Sequence, residues 1–186
     1  MDDASIVRLF LERDEAALEA VQEKYGARLL RLAARIVSDK RTAEECVNDA
    51  LLQAWNRIPP HEPADHLFAF LAKVVRAAAL NRADAMSAAK RSAELVELTR
   101  EMESVLPAPH DTESEFERAE LGRALERFVR GLSDEKRAVF IQRYWYLAPV
   151  KEIAREYSMT EGKVKSLLFR TRRELAKFLK KEELIQ

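Results

Sequence analysis

The sequence predicts an all-α protein: two small helical domains joined by an acidic linker, the second domain a helix-turn-helix. Three observations carry this. The 186 residues include only four glycines and six prolines, among abundant Ala, Leu, Glu, Lys and Arg, a composition that favours helix. Apolar residues recur at three- and four-residue spacing through most of the chain. Charge is partitioned along it. The formal net charge is zero, yet residues 1–91 balance at 14 basic and 14 acidic, residues 92–120 hold nine acids against two bases, and residues 121–149 and 150–186 carry +3 and +4. An acidic middle and a basic end point to nucleic-acid contact through the C-terminal part.

The first domain spans residues 1–92. Leu18, Val21, Tyr25, Leu29, Leu32 and Ile36 make one buried stripe, with Gly26 a candidate bend. A second stripe runs Ala43, Val47, Ala50, Leu51, Ala54, Trp55 and Ile58, with Asp39 as its N-cap. It ends before Pro59-Pro60, because proline cannot continue a helix. A third helix begins near Asp65 and runs through Leu67, Phe70, Leu71, Val74 and Val75 toward Arg91.

Residues 93–118 read as a linker. The stretch is acidic, contains Pro107 and Pro109, and has room for a short helix before Leu106. The second domain spans 119–186. Leu121, Leu125, Phe128 and Val129 form its first stripe, with Gly131 as the C′ residue that ends it. Ser133 caps the next helix, with Asp134 and Glu135 in its first turn. Val139, Phe140, Arg143, Tyr144 and Leu147 continue that helix. A short helix at Val150–Tyr157, a turn at Ser158–Thr160 and a long basic helix from Glu161 complete the chain.

Two helices joined by a tight turn, the second one basic, are the helix-turn-helix pattern. Ile153, Ala154, Val164, Leu167 and Leu168 are its expected shared core, and Thr160 the cap of the recognition helix. After Glu161 that helix carries Lys163, Lys165, Arg170, Arg172, Arg173, Lys177, Lys180 and Lys181 against one acid, Glu174. Thr160, Gly162, Lys163, Lys165, Ser166 and Phe169 lie where side chains reach base edges. Arg170, Arg172, Arg173 and Lys177 suit phosphates. A solvated helix packing only through Leu167, Leu168, Leu175 and Leu179 is the plainer alternative.

Catalysis and cofactors have no support. His61, His66 and His110 show no metal-ligand spacing, Cys46 is a lone cysteine best read as a packing residue, and no Gly-rich phosphate loop is present. No apolar run reaches the about 20 residues of a membrane span. The start, MDDASIV, does not read as a secretory signal. Together these predict a cytoplasmic protein with no enzymatic role, no metal and no membrane insertion.

The stretch from Leu132 through Leu179 resembles the C-terminal DNA-binding region of bacterial extracytoplasmic-function (ECF) sigma factors. It carries Glu152-Ile153-Ala154, Val164-Lys165-Ser166 and Arg170-Thr171-Arg172 where the family has its E-I-A, V-K-S and R-x-R elements. Residues Thr42 through Trp55 are similar to the family segment A-E-D-x-x-Q-[ED]-x-F-x-x-[AV]-W. With the linker, the resemblance covers nearly the whole chain.

The resemblance implies a sigma factor that directs RNA polymerase to promoters and performs no bond chemistry. Glu45, Asn48, Asp49, Leu52 and Trp55 would bind the β′ clamp of core polymerase. Phe70, Lys73, Arg76, Asn81 and Arg82 would meet the −10 element, and the C-terminal helix-turn-helix would read the −35 element and touch the β flap. The linker would pass near the active-site channel, and an anti-sigma protein would hold the factor inactive. On spacing alone, Glu45, Asn48, Asp49 and Leu52 form a polar strip beside an apolar stripe, and Trp55 reads as core.

The third helix departs from the family pattern. Phe70 replaces a tryptophan, Ala78 and Asn81 stand near an asparagine and an aspartate, and Ala83 to Met86 occupy a normally basic stretch. Ser158 stands at a common glycine, and Leu167 at a frequent arginine. Two alternatives therefore stay open: a helix-turn-helix DNA-binding regulator, and a sigma-like protein that docks on polymerase without opening promoters.

Overall fold

Each apolar stripe becomes a helix seam in the computed structural model, which describes residues 1–85, 93–103, 105 and 115–185. Nine α-helices and no extended strand occur among the described residues. They divide into two units, Met1–Leu95 and Val96–Gln186.

The first unit opens with α1 (Asp3–Leu11), a helix that none of the stripes above includes. Its signals are local: the Asp2 carboxylate accepts the Ser5 amide at 2.8 Å, and Ile6, Val7 and Phe10 make one buried edge. α2 (Ala16–Ala34) buries Val21, Tyr25, Leu29 and Leu32, and Gly26 lies inside it without interrupting the helix. α3 (Lys40–Arg57) is capped by Asp39, whose carboxylate accepts the Thr42 amide at 2.7 Å. It stops at Ile58, ahead of the two prolines.

α4 (Leu67–Ala85) packs chiefly on α3. Both helices carry buried alanines, Ala43, Ala50 and Ala54 on α3 and Ala72, Ala79 and Ala83 on α4, small side chains that take little space in the core. Leu29, Ile36, Leu67 and Leu71 are fully buried, each worth about 2 kcal/mol of transfer free energy. The expected continuation of α4, with Met86, Lys90 and Arg91, lies outside the described residues.

α5 (Ala93–Glu103) begins just before the unit boundary and continues into the second unit, which also holds α6 (Glu115–Gly131), α7 (Asp134–Tyr144), α8 (Val150–Glu156) and α9 (Glu161–Lys181). α5 and the first turn of α6 fall in the stretch read as linker; Pro107, Pro109 and His110 lie outside the described residues. Gly131 is the last residue of α6 rather than a left-handed C′ glycine, since no glycine has positive φ. Arg137 explains this: it donates to the carbonyls of Val129, Arg130 and Leu132, which satisfies the helix end without a Schellman turn. Ser133 occupies the N-cap of α7, but its side chain makes no capping bond. α7 stops at Tyr144, short of the expected Leu147, which turns left-handed at φ 53° while its side chain stays buried.

Two apolar cores hold this unit. Val139, Ala148, Ile153, Ala154, Val164, Leu167 and Leu168 join α7, α8 and the first half of α9. Val105, Ala124, Phe128, Leu132, Phe140, Leu175 and Leu179 join α6 and α7 to its second half. α9 is thus fixed along its length, and only one face remains for a partner.

Candidate nucleic-acid interface

α8, a four-residue connection (Tyr157 to Thr160, one longer than the expected turn) and α9 form a helix-turn-helix on the core expected from sequence. Tyr157 donates its amide to the Ile153 carbonyl at 3.0 Å, and Met159 to the Ala154 carbonyl at 2.8 Å. Between them Ser158 takes φ 52°, the left-handed conformation that glycine adopts without strain. Thr160 then returns to extended backbone, and its hydroxyl accepts the Lys163 amide at 3.2 Å. Leu167 is buried in the shared core, so that position packs and contributes nothing to the outer face.

The outer face carries most of the expected contacts. Thr160, Gly162, Lys165, Ser166, Arg170 and Arg173 are exposed, and Phe169 is 53% exposed. Lys165, Ser166, Phe169 and Arg170 line one open, shallow depression. The Arg173 guanidinium sits 5.8 Å from the Phe169 ring centroid, and Arg170 Nε leans on the Ser166 carbonyl at 3.3 Å. Lys163 is exposed but already paired, its Nζ 2.5 Å from Glu135. A cationic rim around an apolar ring is the chemistry of base-edge reading with phosphate anchoring. At 21 residues α9 is about 31 Å long, and Lys177, Lys180 and Lys181 are exposed on its second half.

Arg172 stands apart from this set. Its Nη1 donates to Glu101 Oε2 of α5 at 3.1 Å and to the Tyr144 hydroxyl at 2.6 Å. The same Glu101 receives Arg143 Nη2 at 2.6 Å and the Tyr144 hydroxyl at 2.6 Å. Arg143 is 1% exposed, and it also binds the Ala148 carbonyl at 3.2 Å and Glu97 at 2.9 Å. Burial raises the Glu101 pKa, but the hydrogen bonds from Arg143 and Tyr144 and the arginine charges outweigh it and hold the carboxyl below its usual range. Burial, then the bond to Glu101, pushes the Tyr144 phenol upward. The sequence signal for this network was Arg143 on an otherwise apolar stripe. A buried guanidinium requires an acid, and the acidic stretch beside it supplies one.

In the first unit, Glu45, Asn48, Asp49 and Leu52 share one face of α3, with Asn48 and Asp49 exposed and Leu52 61% exposed. Trp55 is half-buried, its ring 6.0 Å from Phe10 and 5.5 Å from the Arg13 guanidinium. On α4, Lys73 and Asn81 are exposed, Phe70 is half-buried against the His61 ring, and Arg76 is half-buried with its pKa lowered by burial. Arg82 Nη2 reaches Glu45 Oε2 at 3.3 Å, tying the expected −10 set to the expected polymerase set.

Comparison with known families assigns both units. The sigma-70 region 2 family model matches residues 21–87, and the sigma-70 region 4 model matches residues 122–175. The chain belongs to the sigma-70 family. This pairing is typical of its extracytoplasmic-function group. Region 2 covers α2 after its first turn and all of α3 and α4, region 4 runs from α6 into α9, and α1 and α5 lie outside both. The family is one of non-enzymatic transcription initiation factors that act with core RNA polymerase in promoter recognition. No curated protein matches the chain. Among the described residues, no helix is long and apolar enough to cross a membrane and no group of His, Cys, Asp and Glu is placed to hold a metal ion.

Proposed function

We propose that this sigma factor reads the −35 element with α9 and docks core polymerase with α3. The observation that carries the reading is the outer face of α9: exposed Lys165, Ser166, Phe169, Arg170 and Arg173, presented by a capped helix whose opposite face is packed. The region 4 unit would also touch the β flap. The α3 strip of Glu45, Asn48, Asp49 and Leu52 would grip the β′ clamp, with Trp55 supporting it from below. Functionally the chain divides at 1–92, 93–118 and 119–186, with the linker passing near the polymerase active-site channel. The setting is the cytoplasm, with an anti-sigma protein as the restraint.

A second reading, docking without promoter opening, is favoured by one feature. Holding flipped bases needs cations for the backbone and aromatic or polar surfaces for the bases. The outward face of α4 offers Lys73 among Ala69, Ala77 and Asn81, while exposed Arg82 is tied to Glu45 and Phe70 and Arg76 are half-buried.

Transcription by core polymerase plus this protein from a promoter library tests both. Discrete start sites preceded by common −35 and −10 sequences support the first reading. Polymerase capture without transcripts supports the second. Duplex binding without polymerase association overturns both in favour of a simple DNA-binding regulator.

A further inference from the structure

The Glu101 network joins a helix outside both family regions to the rim of the recognition helix, which packing alone does not require. α5 has 11 residues, below the about 12–15 at which an isolated helix persists. Its order therefore depends on docking, through Leu98, Met102 and nearby Val105, and through Glu101. Local undocking of such an element takes less free energy than unfolding the domain.

Within the network the contacts are unequal. Arg143 is held from several sides and is inaccessible. Arg172 is different: its side chain keeps 18% exposure, and it follows Phe169 by three residues and Lys165 by seven, at the border of the outward face. Glu101 Oε2 also receives three donors, the Tyr144 hydroxyl at 2.6 Å, Arg172 at 3.1 Å and Arg143 Nε at 3.4 Å. A carboxylate oxygen offers about two lone-pair sites. The Arg172 bond is the longer of the two that reach from outside Arg143, and it is the one a competing anion can replace.

We propose that Arg143, Tyr144 and Arg172 form an anion site on the region 4 unit that α5 fills in cis through Glu101, and that a DNA backbone phosphate takes Arg172 over from Glu101 when α9 enters the groove. The inference rests on the reading of α9 as the DNA-contacting helix. α5 then acts as an acidic cover that weakens duplex binding by the free chain. Core polymerase, by drawing the linker away, would relieve it.

The test uses the full chain and a labelled mixed-sequence DNA duplex at low salt. Glu101→Gln frees Arg172. Met102→Gln loosens α5 while leaving every charge in place, which keeps the test valid if Glu101→Gln fails to melt cooperatively. Glu97→Gln makes the same charge change at a residue that pairs with Arg143 and not with Arg172. Glu101→Gln is expected to tighten duplex binding about tenfold, the scale of one charge-assisted hydrogen bond, and to steepen the salt slope by about one phosphate. Met102→Gln should move affinity the same way and speed amide exchange in α5, and Glu97→Gln should do little. All gains should vanish in an Arg172→Ala background. Gains that persist without Arg172, or equal gains from Glu97→Gln, overturn the inference, as does duplex binding indifferent to both Glu101 and Met102. If no form binds duplex, the DNA-contacting role of α9 fails with it; if all forms bind equally, only the cover fails.

Discussion

Arg137 on α7 reaches back to the Leu132 carbonyl at 2.7 Å and closes the end of the preceding helix. Its Nε and Nη2 also take the Val129 and Arg130 carbonyls at 3.2 and 3.1 Å. The side chain is 38% exposed, so water replaces part of what a truncation removes. Arg137→Ala is expected to destabilise the region 4 unit by about 1–2 kcal/mol, and Arg137→Lys to recover only part, because one ammonium cannot span three carbonyls. Gly131, by contrast, has no positive φ and open space where a Cβ would stand. Gly131→Ala should therefore stabilise by about 0.5 kcal/mol, whereas a true C′ glycine would make it destabilising. Urea denaturation of the three variants decides the matter.

Ser158 holds the turn of the helix-turn-helix at φ 52° and is exposed. A single non-glycine residue in that conformation stores about 1 kcal/mol. Ser158→Gly relieves it, less a few tenths lost to the more flexible unfolded chain. The expected result is a higher urea midpoint with duplex affinity unchanged. A lower midpoint would mean that the serine hydroxyl contributes more than the strain removes.

Acid should loosen the second unit through Glu101. Its carboxyl is held below the usual range in the fold, so its contribution is fully present above the unfolded value and is lost as pH falls through the folded one. Between about pH 6 and pH 3 the wild type should lose more stability than Glu101→Gln, whose residue does not titrate. Urea midpoints measured across that window should converge toward acid. Parallel curves would show that Glu101 adds no pH dependence.

Legibility tracked how local the deciding physics was. Thr160 and Asp39 were readable as caps because a cap needs only the three residues that follow, and both bonds are present. The shared core of Ile153, Ala154, Val164, Leu167 and Leu168 followed from helical spacing. Gly131 misled because its helix end is satisfied from another helix, and such a donor leaves no mark beside the glycine. α1 went unread because three apolar residues make too short a stripe to stand out without its cap. Arg172 read as a phosphate contact since spacing alone puts it beside Phe169. Its partner lies 71 positions earlier, and no periodicity reports that.

Arg170 and Arg173 carry the phosphate-facing part of the proposed −35 reading. Both are exposed, and neither is ion-paired in the contacts described for α9. Replacing either by alanine should weaken duplex binding nearly equally across sequences and lower the salt slope by about one. Phe169→Ala should leave the slope alone and change the sequence preference, since an apolar ring contributes through bases rather than phosphates. Fluorescence anisotropy over a salt series separates the two. Unchanged slopes in both arginine variants would remove these side chains from the phosphate contacts.

Leu52 is the test of the other end. It is 61% exposed on α3 and lies one turn beyond Asn48 and Asp49, where no core residue depends on it. Leu52→Arg should leave stability within about 0.5 kcal/mol of wild type, as surface changes do. If the strip of Glu45, Asn48, Asp49 and Leu52 seats on polymerase, the same change forces a cation into an apolar contact flanked by buried surface, and association with core enzyme should fall by at least about tenfold. Duplex binding by the free chain should not move, because Leu52 is in the region 2 unit and the duplex is held by α9. Polymerase association measured alongside a thermal melt gives the answer: a variant that folds, binds duplex and still captures core enzyme at full affinity would take α3 out of the docking surface.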